Sequence, residues 1–105
     1  MKEESADLSK ILDTKLLAAI NKVRRGAELA AKVIVHIKSL AAFSESSQGL
    51  QFIDDYTTKA GDHAVKTVRT FLELRSMLEA EAVRRGMSIP KWEPKDNKIR
   101  VVLGV

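Results

Sequence analysis

A long run of apolar residues at helical spacing, from Leu8 to Phe43, constrains this chain more than any other feature of its sequence. Steps of three and four residues place them on one face of a helix that no proline interrupts. At ~1.5 Å per residue such a helix would be about 54 Å long. The residues on this face are Leu12, Leu16, Ile20, Val23, Ala27, Ala30, Ile34, Ile37 and Ala41.

A second periodic run, from Leu50 to Ala82, follows the turn-like cluster Ser44–Gly49. It ends at two arginines and Gly86, with a proline soon after, which is typical of a helix C-terminus. Two long helices joined by so short a loop run antiparallel. We therefore predict an all-α fold built on a long antiparallel two-helix hairpin, over about residues 7–43 and 47–85.

The centre of the loop predicts which residues of the two helices face each other. A centre near residue 45 pairs Ile20 with Phe71 and Ala30 with Gly61. The small residues of both helices then meet at one level, which we interpret as a narrow waist. Contacts displaced by more than one helical turn would contradict this register. The residues of the waist are Ala27, Ala30, Ala31, Ala60, Gly61 and Ala64.

The apolar surface of the first helix is wider than one partner helix requires. Leu29, Val33 and Leu40 flank one side of the central stripe, and Leu17 and Val35 flank the other. The sequence provides no further helix to cover these flanks. We therefore expect other copies to pack on them, so that the chain forms a homo-oligomer, a multi-helix bundle or ring.

The tail, residues 87–105, has a different character from the hairpin domain, residues 1–86. Pro90 and Pro94 predict an extended linker. The β-branched residues over about 98–104 predict a short terminal β-strand, whose backbone hydrogen bonds another chain would have to satisfy. The apolar residues of this strand join the candidate interface between copies: Ile99, Val101 and Leu103.

The only tryptophan, Trp92, lies between the two prolines of the tail. An exposed tryptophan can anchor a larger protein partner. It can also fold back on the hairpin and hold the tail, because its large ring gains most from burial. The sequence leaves both alternatives open.

Residues with catalytic or metal-binding chemistry are few and scattered. The chain has no cysteine, and its histidines, His36 and His63, have no companion at His-x-x-x-His or Glu-x-x-His spacing. Asp54 and Asp55 are adjacent, so their side chains point in different directions on a helix. No nucleophile elbow or glycine-rich phosphate loop is present. We therefore predict no enzyme activity, no metal site and no cofactor.

Basic clusters are the strongest functional signal in the sequence. The net charge is +4, with 8 basic and 5 acidic residues over 1–43 and 4 basic and 2 acidic over 87–105. Such clusters indicate either phosphate contacts or solvated helix faces. Aromatic residues make up only 5% of the chain, so few rings could stack on bases. The candidate nucleic-acid-binding residues are Lys22, Arg24, Arg25, Lys32, Lys59, Lys66, Arg69, Lys98 and Arg100.

Over residues 8–105, long antiparallel helices with an oligomeric role and a short terminal strand resemble the assembly part of viral small terminase subunits. That resemblance implies a viral protein that binds DNA during genome packaging, although the N-terminal helix-turn-helix of many such subunits is missing here. The alternative is a protein-interaction adaptor, chaperone or inhibitor whose tail strand pairs with a partner. No apolar run approaches the ~20 residues of a membrane span, so we expect no membrane partner and a cytoplasmic location, in the host if the protein is viral.

Overall fold

Three helices follow one another in the computed structural model, which describes residues 8–51 and 53–105. A 3-10 turn, Leu8–Lys10, precedes α1, Asp13–Ser46, and α2 spans Ile53–Arg84. The short α3, Asn97–Leu103, follows a linker without helix or strand. α1 and α2 pack along each other as a hairpin, and α3 packs on α1. The all-helical class and the long hairpin are thus confirmed, whereas residues 1–7 of the predicted hairpin domain lie outside the described residues.

The connection between α1 and α2 lies further along the chain than predicted. Ser44, which the sequence assigned to the loop, is a fully buried residue of α1. Its hydroxyl lies 2.8 Å from the carbonyl oxygen of Leu50 and 2.8 Å from a carboxylate oxygen of Asp54. Ser44 therefore connects the end of α1 to the loop and to the first turn of α2.

The predicted register between α1 and α2 is wrong by about two helical turns. Phe71 lies against Gly26 rather than Ile20, and a Cβ atom at residue 26 would stand only 2.7 Å from its ring. Gly61 faces Ile37 in the same displaced register. The cause is the loop, because α1 runs further into the serine cluster and α2 begins later than the sequence suggested.

Two clusters of buried residues form the core of the hairpin. Ala27, Ala31 and Ala64 belong to the cluster nearer the loop, but Ala60 is exposed. The displaced register does not bring the small residues of the two helices to one level, as the predicted waist requires. Phe71 packs against both clusters and joins them. The cluster nearer the loop contains Ala27, Ala31, Ile34, Ala64, Val68, Ile99 and Leu103, and the other contains Leu16, Ile20, Val23, Leu78 and Ala82.

The predicted terminal β-strand is wrong, because this part of the chain forms α3. The carboxylate of Asp96 accepts a hydrogen bond from the backbone N–H of Lys98 and caps the N-terminus of α3. At the other end, Gly104 adopts a left-handed φ of 74° and donates its N–H to the carbonyl oxygen of Arg100. These two caps and burial of one helical face outweigh the strand preference of the β-branched residues.

The helical structure of α3 also removes one of the two reasons to expect assembly. Ile99 and Leu103, predicted at an interface between copies, are one helical turn apart and buried against α1 of the same chain. Val101 points away and is 80% exposed. A helix satisfies its own backbone, so the argument from an unpaired strand no longer supports assembly. Within residues 8–51 and 53–105, no helix combines the length and apolar character that crossing a bilayer requires.

Candidate phosphate-contacting surface

Trp92 lies half-buried between two arginine side chains from different helices. The centre of its ring is 6.0 Å from the guanidinium carbon of Arg24 in α1 and 5.0 Å from that of Arg75 in α2. Its indole N–H donates to a carboxylate oxygen of Glu28, 2.7 Å away. Both the ring and its polar group are therefore engaged in holding the linker on the hairpin, as the fold-back alternative expects.

Arg24, a candidate phosphate ligand, is buried within the chain. Its Nε donates to Glu79 of α2 over 3.0 Å, and its Nη1 donates to the carbonyl oxygen of Pro90 over 2.7 Å. The guanidinium thus connects α1, α2 and the linker. We remove Arg24 from the candidate surface, because its donors already bind groups of this chain.

Arg85 makes a second set of fastening contacts, at the end of α2. It donates to Glu81 over 2.7 Å, to Asp13 over 2.8 Å and to the carbonyl oxygen of Leu8 over 2.7 Å. Glu81 also pairs with Arg84. Hydrogen bonds from Arg84 and Arg85 lower the pKa of Glu81 to about 2. This carboxylate therefore stays ionised and holds Arg85, which in turn contacts Asp13 and Leu8.

The other eight candidate cations have exposed side chains, and none of them forms an ion pair within the described part of the chain. Most of the carboxylates, by contrast, contact groups of the protein itself, and only Glu45, Asp55, Asp62 and Glu73 of those described do not. Positive charge is consequently more available to a ligand than the net charge suggests. The engaged carboxylates are Asp13, Glu28, Asp54, Glu79, Glu81, Glu93 and Asp96.

Two shallow grooves with cations lie side by side on one face of the hairpin. Lys22 and Arg25 line the first, about 460 Å³ in volume, on α1 together with Gly26. Lys66 lines the second, about 440 Å³, on α2 together with Phe71. The grooves adjoin because Phe71 lies on Gly26. We call this side of the hairpin the open face.

The remaining candidate cations line neither of these two grooves. Lys32 lines a groove between α1 and the linker, beside the acidic side chains of Glu28 and Glu93. Lys98 lines a groove between α1 and α3. The last three are exposed on α2 or α3: Lys59, Arg69 and Arg100.

The candidate interface residues of α1 divide into two groups. Leu29, Val33 and Leu40 are exposed, at 57%, 48% and 43% of their surface. Leu17 and Val35 are partly buried, and Val35 lines the groove against α3. The exposed group also includes Phe43, which the sequence analysis did not single out and which is 56% exposed. Its spacing of three from Leu40 is the signal that could have identified it.

Comparison with known proteins found no protein family, curated protein or solved structure that matches this chain. Within the described residues, no group of three or more His, Asp or Glu side chains comes together as a metal site would require. The exposed, unpaired cations are therefore the strongest indication of function in the described part of the chain.

Proposed function

We propose that this chain is a self-assembling helical-hairpin module that binds nucleic acid through phosphate contacts, without reading the bases. The observation that carries the proposal is the contrast between eight exposed, unpaired cations and seven internally engaged carboxylates. Each cation that replaces a counterion on a duplex adds affinity that falls as salt rises. Contacts of this kind position a protein on the backbone but carry no sequence information.

Assembly is part of the proposal because one copy offers few cations on any one side. The open face provides Lys22, Arg25 and Lys66. A protein with strong salt-dependent affinity makes roughly 6–10 phosphate contacts. Repeating the open face in two or more copies would reach that number without any new residue type.

The resemblance to viral small terminase subunits supports only the hairpin part of this proposal, since the expected terminal strand is a helix. DNA packaging remains an expectation from that resemblance. The adaptor alternative relied on the same strand, and α3 offers no free backbone edge for a partner's sheet. Adaptor function through the exposed apolar residues of α1 remains as the outcome if nucleic acid does not bind.

The test is binding to duplex DNA at two salt concentrations, measured by fluorescence anisotropy. We expect micromolar binding at about 50 mM salt that weakens steeply by about 200 mM and does not depend on sequence. A double variant, Lys22→Gln with Arg25→Gln, should lower the slope of log affinity against log salt by about two for each bound copy, and so by about four for a dimer. Absence of binding at the lower salt concentration would overturn the proposal.

A matched double variant separates specific contacts from bulk charge. Arg84→Gln with Lys91→Gln also removes one arginine and one lysine, but both cations are already paired with carboxylates, Glu81 and Glu93. We expect this control to keep nearly the wild-type salt slope. Equal losses in the two double variants would mean that net charge, and not the open face, is responsible.

A further inference from the structure

A second apolar stripe on α1 remains uncovered by the rest of the described chain, residues 8–51 and 53–105. Its members are separated by steps of four, three, four and three residues, which is the heptad spacing of helices that pack as coiled coils. Every member is exposed. We call this stripe the α1 seam, and it consists of Leu29, Val33, His36, Leu40 and Phe43.

The neighbouring elements lie on either side of the seam and leave it open. α2 covers the side marked by the Gly26–Phe71 contact. The linker and α3 cover the opposite side, where Lys32 and Val35 line grooves against them. Along Leu29–Phe43 the charged residues are Lys32 and Lys38, and neither belongs to the seam. The seam therefore contains no Lys, Arg, Asp or Glu and lies exposed between two covered surfaces.

The order of side chains along the seam is nearly the same in both directions from His36. Leu29 lies seven residues before it and Phe43 seven residues after it, while Val33 and Leu40 lie three before and four after. A twofold axis pairs each residue of a surface with a different residue of the same surface in the other copy. An antiparallel pair of α1 helices would thus place Leu29 on the partner's Phe43 and Val33 on the partner's Leu40.

The shape of the chain leaves room for such a contact. The backbone extends 56 × 35 × 16 Å, so the hairpin and its tail form a thin slab. A stable interface takes about 800 Å² from each partner, so the contact would extend from the seam onto the adjoining surface of α1. Two hairpins meeting across α1 would complete a four-helix arrangement with both α1 helices at its centre.

We infer that two copies of this chain pair antiparallel along the α1 seam, with the twofold axis near His36. The inference rests on the self-assembly in the proposed function and names its contact. The surface buried between the copies is centred on the seam. The Lys22–Arg25 groove adjoins the N-terminal end of the seam and shares Leu29 with it, while its two cations lie outside the seam.

The absence of cysteine from the sequence allows the pairing to be mapped with single cysteine variants. Under mild oxidation, or with a short thiol cross-linker, His36→Cys should form a covalent dimer because its two copies meet at the axis. Leu29→Cys alone should not, since its copies would be about 21 Å apart along the helices. A mixture of Leu29→Cys and Phe43→Cys should form the mixed dimer. Val83→Cys, exposed on α2, controls for random collision.

Sedimentation of the unmodified chain distinguishes failure of this inference from failure of assembly. If the wild type is oligomeric but His36→Cys cross-links no faster than Val83→Cys, the seam is not the contact, and the proposed assembly stands through another surface. A monomer at every concentration up to about 100 μM overturns both statements. Leu40→Asp supplies a second check, because it should dissociate the dimer while the circular dichroism spectrum stays helical.

Discussion

Two sides of α1 differ in burial: the tail covers one side, whereas the α1 seam is exposed. On the covered side, Ala31 packs against α3, and Glu28 accepts a hydrogen bond from Trp92. On the seam, Leu29 and Val33 remain about half exposed. Within the described part of the chain, the wide apolar surface of α1 thus packs against α2 and the tail, and the seam is the part of it that we propose a second copy covers. Burial of side chains at adjacent positions should therefore have separable consequences for folding and for association.

The largest effect is expected from a pair of neighbouring substitutions on α1. Ile34 is buried at 8% exposure and Val33 is 48% exposed. Ile34→Ala should lower the free energy of unfolding by about 3 kcal/mol, because it leaves a cavity against α2 and α3. Val33→Ala should change it by less than about 0.5 kcal/mol in dilute protein but weaken association. Urea denaturation at low concentration and sedimentation measure the two. Similar losses of stability in both variants would contradict the exposure of the seam.

A smaller effect should follow from releasing the tail. Trp92→Ala removes the ring between Arg24 and Arg75 together with the bond to Glu28, and should cost about 2 kcal/mol. Trp92→Phe keeps a ring and loses only the N–H donor, which should cost about 1 kcal/mol. Amide hydrogen exchange should speed up in α3 before it does in the middle of α1. Unchanged exchange in α3 would show that Trp92 does not hold the tail.

Two glycines provide the next test, since they differ in what a methyl group would meet. At Gly26 the added Cβ would lie 2.7 Å from the ring of Phe71, whereas at Gly61 the nearest atom is 3.7 Å away, on Ile37. Gly26→Ala should destabilise by about 1 kcal/mol, as crowding exceeds the gain in helix propensity. Gly61→Ala should stabilise by up to about 1 kcal/mol. Thermal unfolding of both variants measures these two changes in stability. Stabilisation by both substitutions would contradict the register in which Phe71 lies against Gly26.

These elements show what local sequence could and could not predict. The two long helices and the end of α2 followed from periodicity and from the residues at the helix end, which act locally. The register did not, because it depends on the loop, and the burial of Ser44 arises from its contact with Asp54 in the other helix. A loop misplaced by a few residues moved every pair of facing residues along α1 and α2.

In the tail and the candidate surface, too, local features were predictable from the sequence and long-range contacts were not. α3 could have been identified from the sequence, since Asp96 and Gly104 are cap signals and Ile99 and Leu103 have helical spacing. The burial of Arg24 could not, because its partner Glu79 is 55 residues away. The sequence therefore identified the candidate cations, but it could not show which of them bind groups of the same chain.

The smallest expected effect lies at Glu81, away from both the seam and the tail contacts. Its pKa is lowered from 4.5 to about 2 by Arg84 and Arg85, so its ionised form stabilises the fold above pH 4.5. That contribution should disappear as the pH falls from 4.5 through about 2. Glu81→Gln should be less stable than wild type at neutral pH, and the difference should shrink over that range in urea denaturation.

Glu73→Gln is the matched control for removing one carboxylate from α2, because Glu73 is exposed and forms no hydrogen bond or ion pair within the described residues. At neutral pH its free energy of unfolding should stay within about 0.5 kcal/mol of the wild-type value. A difference between Glu81→Gln and wild type that stays constant from pH 6 to pH 2 would contradict the lowered pKa. Because Glu81 contacts Arg84 and Arg85 and no residue of the seam, its substitution should reduce the free energy of unfolding while leaving association unchanged, which is the reverse of what Val33→Ala should do.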